Sequence, residues 1–249
     1  MNDSVQGLIL KQLDYRYYDV IITVLTKEYG KIAFRVSGAR KMTSRNAGSI
    51  LPYTLGEFAF DYKDGQTMFR LKTARTKKLY RHLHEDLELS SAAGVLAEVT
   101  DRMTLNGLED VNREETYALL AKAFDLLEEG KDPVTVLALY ISELMDLFGI
   151  APDVDECVHD GSTQVSAISA EEGGFLCESC ARLRGVPLSS VTDLRRFRLL
   201  VKGGLEHFDI IEQAGGAEKK DLRILIRMIE MHAGLVLKSY SLFDRLFSH

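Results

Sequence analysis

The sequence is poor in cysteine. Its 249 residues hold three, and two of them, Cys177 and Cys180, are spaced Cys-x-x-Cys. An odd number this small excludes a disulfide framework. It points to reduced thiols or metal ligands in a reducing cytoplasm. No apolar run reaches the roughly 20 residues that cross a bilayer, so no membrane role is expected. The opening Met1-Asn2-Asp3-Ser4 has neither a basic n-region nor an apolar h-region, which argues against a secretory leader. Internal repeats and low-complexity tracts are absent. So are the common catalytic signatures: no P-loop glycine spacing, no G-x-S-x-G and no H-E-x-x-H. The acidic pairs Glu109-Asp110, Glu114-Glu115 and Glu128-Glu129 read as solvated faces. Cys157 and His159 are close in sequence, but two residues apart in a loop they need not face each other. No residue is assigned a catalytic role.

The chain also lacks a positive balance, with a net charge of −6. Taken over the whole chain, that balance argues against a nucleic-acid partner; its distribution along the chain reverses the argument. Residues 1–80 hold 14 Lys/Arg and 7 Asp/Glu, a net of +7, and residues 81–249 hold 17 and 30, a net of −13. Such asymmetry suggests two domains with different tasks. The basic one can neutralise phosphates, and the acidic one limits indiscriminate adhesion.

What is present is a change of period. Up to residue 76 the pattern is that of strands. Val5–Leu13 is apolar, and Asp19–Thr26 is nearly continuous in β-branched residues. Lys27–Gly30 reads as a hairpin turn with Gly30 free to adopt φ > 0. Lys31–Ser37 alternates, with Ile32, Phe34 and Val36 on one face and Lys31, Ala33 and Arg35 on the other. Leu55–Tyr62 and Thr67–Thr76 form a second hairpin about Lys63-Asp64-Gly65. Five short strands predict a small closed barrel of the OB kind, and an SH3-like barrel would give much the same pattern. From Tyr80 the period becomes helical, through Leu83, Leu87, Leu96, Val99 and Met103. Asn112 with Glu115 predicts a capping box. Asp132-Pro133 predicts a helix start, and the helix should end at Gly149. Helices resume near Ser190 and from Asp221. The expected class is α+β in two domains: a basic OB-fold over 1–80, and a helical domain over 81–249 with an insertion at about 151–186.

Two constellations carry chemistry. Gly38-Ala39-Arg40-Lys41-Met42-Thr43-Ser44-Arg45 joins two predicted strands, and its cations and hydroxyls suit a phosphate backbone. Lys31 and Arg35 share the outward face of the strand before it. Arg70, Lys72, Arg75, Lys77 and Lys78 lie on and after the last strand. Tyr15, Tyr17, Tyr18 and Tyr29 are interleaved and can stack on bases or pack in the core. Because cations recur in the strands and in the loop between them, the set reads as a nucleic-acid surface. The second constellation is Cys157-x-x-Asp160 followed by Cys177-x-x-Cys180. Two short knuckles carrying four cysteines would be a strong zinc signal. Here one position is Asp160, with His159 beside it as the alternative fourth ligand. Zinc accepts either set. The competing reading is a vestigial knuckle held by packing alone.

With these residues in hand, the chain resembles the RecO family of recombination mediators. The likeness rests on Leu10-Lys11, Asp14-Tyr15, Asp19, Leu25-Thr26, Gly30-Lys31, Gly38-Ala39-Arg40, Ser44-Arg45, Leu51-Pro52 and Leu237-Lys238-Ser239, in the family's order. Asp160 departs from it, standing where many members have a cysteine. The resemblance implies an N-terminal OB-fold, a helical C-terminal domain carrying the knuckle, and a place at the nucleoid in the cytoplasm. It implies binding of single- and double-stranded DNA, strand annealing, and help in loading RecA onto DNA coated by single-stranded DNA-binding protein (SSB). RecR and the acidic C-terminal tail of SSB are the implied partners. For that tail the candidate cations are Arg195, Arg196, Arg198 and Lys202 in one predicted helix, with Arg223, Arg227 and Lys238 near the last. Two rivals stand beside this reading: an OB-fold protein directed at RNA, and an enzyme with a cysteine nucleophile in 151–186.

Overall fold

The computed structural model describes residues 3–105 and 111–247; the Glu109-Asp110 pair lies outside them. Six strands open the chain: β1 (Asp3–Tyr15), β2 (Asp19–Thr26), β3 (Gly30–Val36), β4 (Thr54–Phe60), β5 (Met68–Arg70) and β6 (Thr73–Leu79). Their sheet order is β5-β3-β2-β1-β4-β6. β1, β2 and β3 are successive antiparallel neighbours, with Gly30 at φ 62° in the turn between the last two, as expected. β4 pairs with the far side of β1.

The expected fifth strand is split into β5 and β6, and the split closes the barrel. β5 runs parallel to β3, and β6 antiparallel to β4. Between them, Leu71 N–H donates to the Arg35 carbonyl at 3.0 Å and Lys72 N–H to the Ala59 carbonyl at 2.9 Å. Adjacent residues thus bond opposite edges of the sheet, which removes both edges. Val5, Ile9, Ile22, Ile32, Phe34, Phe58, Phe60 and Phe69 fill the interior. This is the OB barrel that the alternation predicted.

The change of period at Tyr80 is where the helices begin: α1 (Arg81–Glu85), α2 (Leu87–Met103) and α3 (Arg113–Glu128). α2 packs over β1 and α3 over β2 and β3, with α1 against both helices. That explains a run in β2 that alternation alone does not, since Thr23 through Thr26 are all buried. One face of these residues looks into the barrel and the other lies under helices. Asn112 stands at the start of α3 without a side-chain capping bond, so the expected capping box does not form.

By packing, the chain divides into two compact units, Met1–Glu129 with Ser239–His249, and Gly130–Lys238. The second is centred on α4 (Pro133–Leu147), buried along nearly its whole length. Asp132 caps it by accepting from Thr135 N–H at 2.8 Å, with Pro133 in the first turn, as expected. A three-stranded sheet follows, β7 (Asp153–Cys157), β8 (Val165–Ser169) and β9 (Gly174–Cys177), then α5 (Glu178–Arg184), α6 (Val191–Gly203), α7 (Phe208–Gln213) and α8 (Lys219–Met228). The final helical stretch is not continuous. A π-turn over Ile229–Ala233 ends at Gly234 (φ 67°), and α9 (Lys238–Leu246) starts afresh. Ser239 at its start donates from N–H and Oγ to the Glu98 carboxylate of α2, at 2.7 and 2.5 Å.

Candidate nucleic-acid interface and metal centre

The loop after β3 is tied down at both ends. At its start, Asp19 accepts from Gly38 N–H (2.9 Å), and Arg40 N–H donates to the Tyr18 carbonyl (3.0 Å). At its end, the Asn46 side chain accepts from Ala74 N–H of β6 (3.1 Å). Arg40 pairs with Asp14 at 2.9 Å, and the Lys41 ammonium lies 5.5 Å from the centre of the Tyr18 ring. Arg45 is exposed and has no ion pair among the described residues. Arg35 grips Asp19 with Nε and Nη2 (3.0 and 2.7 Å), and its guanidinium lies 5.4 Å from the Tyr15 ring, with that of Arg16 at 5.2 Å. Asp19 is held below the usual carboxylate range, first by the Gly38 N–H and then by Arg35. Arg70 is the register partner of Arg35 across the β3–β5 ladder, so both project to one face. The structure therefore brings Arg35, Arg40, Lys41 and Arg70 to one end of the barrel, around the β1–β2 turn, while Arg45 stands at the end of the loop, next to the Asn46 that bonds β6.

The other candidates fall elsewhere. Lys31 does not belong to the exposed set: its residue is 7% exposed, and its ammonium donates to the carbonyls of Asp101 and Thr104 at the end of α2, beside the Asp101 carboxylate. It faces out of the barrel, as the alternation required, but α2 covers that face, and a cation at a helix C-terminus is well placed electrostatically. Lys72 pairs with Asp61 (2.5 Å), Lys77 with Glu57 (3.1 Å) and Lys78 with Asp125 (2.7 Å). Arg75 is exposed beside Ala74, so the Asn46 bond brings it to the end of the basic loop. Tyr29 points inward and stacks on Tyr62 at 4.7 Å.

In the second unit, Cys157, Asp160, Cys177 and Cys180 converge. One ligand atom from each lies within 4.8 Å of all the others. The local chain explains the convergence. Gly161 at φ 68° turns the first knuckle, with its N–H donating to the Cys157 carbonyl. Gly174 lets β9 pass β7 closely, for a Cβ there would stand 2.3 Å from the Asp153 carbonyl oxygen. Cys177 caps α5 by accepting from Cys180 N–H. The Asp160 carboxylate accepts from the Cys177 thiol at 3.1 Å and the Cys180 thiol at 3.5 Å. The Cys177 and Cys157 thiols, with the Ser162 N–H, hold its pKa down to about 2. The Cys180 thiol is pushed up to about 12, first by Cys177 and then by burial. Tetrahedral zinc with bonds near 2.3 Å sets its ligands roughly 4 Å apart, so this donor set can hold a metal ion after small shifts. His159 turns away to Glu172, at 2.6 Å, so Asp160, and not His159, stands with the three cysteines.

The cations proposed for an acidic tail separate in the same way. Arg196 is enclosed by Asp193, Glu218 and Asp221 at 2.6–2.8 Å. Arg198 and Lys202 both bind Asp155, and Arg227 binds Glu171 and Glu230. Arg195 has no ion pair among the described residues and lines a groove of about 390 Å³ with Leu199, Leu200 and Ile211. Arg223 and Arg227 line another, of about 590 Å³, with Ile168 and Ile224. Lys238 begins α9. Among the described residues, no helix is long and apolar enough to cross a membrane.

Comparison with known proteins agrees with this geometry. The family model described as recombination protein O N terminal matches residues 1–80, and the one described as recombination protein O C terminal matches residues 84–241. The chain is similar to the DNA repair protein RecO of Bacillus velezensis, 28% identical over 251 residues that cover all of this chain and 96% of that protein. It is similar also to those of Lactiplantibacillus plantarum (28% over 254 residues, 100% and 95%) and Bacillus subtilis (26% over 259 residues, 100% and 96%).

Proposed function

The chain belongs to the RecO family of DNA repair proteins, and from that premise we propose that it is a recombination mediator that anneals complementary DNA strands without making or breaking bonds. The observation that carries the reading is the basic end of the barrel, in an 80-residue segment of net charge +7 within an acidic chain. Residues 1–80 form the DNA-binding domain, and residues 81–249 serve its partners. Annealing needs a surface that screens two phosphate backbones while leaving base edges free. Lys41, Arg45, Arg70 and Arg75 supply it directly. Arg35, Arg40, Lys72, Lys77 and Lys78 sit within ion pairs that are at least partly exposed, and exposed pairs are weak enough to exchange for phosphate.

In the same reading the protein works with RecR and helps load RecA onto single strands coated by SSB, in the cytoplasm. The acidic, apolar-ended tail of SSB fits the groove beside Arg195, which offers a cation and the apolar floor of Leu199, Leu200 and Ile211. The test is annealing of complementary strands coated with SSB by the purified protein. Acceleration that depends on the tail of SSB is expected. Equal binding to RNA with no annealing would favour the RNA-directed alternative.

The cysteine cluster is proposed as a structural zinc site with ligands Cys157, Asp160, Cys177 and Cys180. All four positions are protein ligands, so its role is to hold the knuckle together. Protein purified without chelator is expected to carry one zinc per chain, Cys177→Ser to lose it, and Asp160→Cys to retain it against chelators at higher concentration. A metal-free wild type with an unchanged melting temperature would identify a knuckle held by packing.

A further inference from the structure

The same end of the barrel carries large apolar side chains in full solvent. Tyr17 is 91% exposed, Tyr18 55% and Met42 105%. They stand on two segments bonded into one piece, since Arg40 N–H donates to the Tyr18 carbonyl and Gly38 N–H to Asp19. Arg16 holds the turn in a left-handed conformation, φ 57°, which few non-glycine residues adopt. Such backbones persist where the surroundings enforce them, and here they set Tyr17 out at the tip. Exposure is not the default for this sequence, because Tyr29 stacks on Tyr62 against the barrel core.

An exposed aromatic and apolar cluster marks a surface meant to be covered. Its surroundings state the charge of the cover: Arg16 precedes the two tyrosines in the turn, Arg40 N–H bonds the Tyr18 carbonyl, and the Lys41 ammonium lies 5.5 Å from the Tyr18 ring. The match is a polyanion with flat apolar faces. Unpaired nucleobases on a phosphate chain have that chemistry, whereas a duplex hides its base faces. We propose that Tyr17 and Tyr18 stack on unpaired bases and make this interface selective for single strands. Pairing of the bases removes the stacking faces, so the annealed duplex is held by phosphate contacts alone and released. The proposal rests on the DNA-binding reading above and adds the selectivity to it.

The test uses the full chain and two probes, a single-stranded thymidine oligonucleotide and an unrelated blunt duplex, each titrated over a range of salt. Tyr17→Ala with Tyr18→Ala is expected to weaken single-strand binding roughly tenfold or more, with duplex affinity and the salt slope unchanged. Tyr17→Phe with Tyr18→Phe should restore binding. Both rings are largely exposed, and an unchanged melting temperature would show the fold intact. If the alanine variant binds single strands as the wild type does, or loses equally on both probes, stacking is overturned while DNA binding stands. If loss of Arg40, Lys41 and Arg45 also leaves both probes bound as before, the DNA site lies away from this loop; if the wild type binds neither probe, the DNA-binding reading itself falls.

Discussion

Alanine at Arg40, Lys41 and Arg45 together is expected to weaken single-strand binding about a hundredfold at 0.1 M salt. Each phosphate contact contributes about 0.7 to the log–log salt slope on single strands, and at 0.1 M each such unit is a factor of ten. Three contacts then lower the slope by about 2 and the affinity by about two decades. Loss of Arg40 also leaves Asp14 without its partner beside the phosphates, which adds to the effect. The loss should be alike for unrelated sequences, because phosphate contacts carry no base information. All three side chains are exposed, so each should cost no more than about 0.5 kcal/mol of stability. Lys31→Ala is expected to do the reverse. It leaves two carbonyls at the end of α2 without their donor and should cost about 1.5–3 kcal/mol, with the salt slope unchanged. Salt titrations beside denaturant unfolding separate the two. An unchanged slope in the triple variant would move the site to Arg70 and Arg75.

Arg196→Ala should be the most destabilising single change in the acidic-tail set, lowering stability by about 3–5 kcal/mol. Asp221 is 1% exposed, and Arg196 meets its carboxylate with Nε at 2.6 Å and Nη2 at 3.2 Å. Asp221 in turn accepts from Glu218 N–H at the start of α8. The alanine variant leaves that carboxylate buried without its counter-charge, and α8 parts from α6. A loss of this size is a large fraction of the roughly 5–15 kcal/mol that holds a domain folded. Arg195→Ala, one residue earlier, should change stability by no more than about 0.5 kcal/mol. Arg196→Met with Asp221→Leu should recover much of the loss, since an apolar pair of similar volume needs no solvation. Urea unfolding of the four proteins decides it. Equal midpoints for the two single variants would show that the Asp221 site is open to water.

By itself the sequence determined what depends on neighbours along the chain. The alternation of Ile32, Phe34 and Val36 set the face of β3. Gly30 set its turn, Asp132-Pro133 opened α4, and the change of period at Tyr80 ended the barrel. The knuckle spacing was equally legible, because two residues between ligands make one local turn. The division of charge at residue 80 needed only counting.

Tertiary structure alone decided which polar side chains meet water. Lys31 and Arg35 occupy equivalent places in the alternation, yet one is buried and the other sits among tyrosines. The difference is the end of α2, some 70 residues away in sequence. Arg195 and Arg196 are adjacent in one helix, and only the arrival of Asp221 on α8 separates a groove residue from a core ion pair. Tyr17 and Tyr29 share a residue type, yet the first is exposed in the β1–β2 turn and the second packs against the barrel core. His159 and Asp160 were equal candidates until Glu172 drew the histidine away. Backbone periodicity is a local property and can be read locally. The partner of a charge is set by contacts between distant segments, which exist only once the chain has folded.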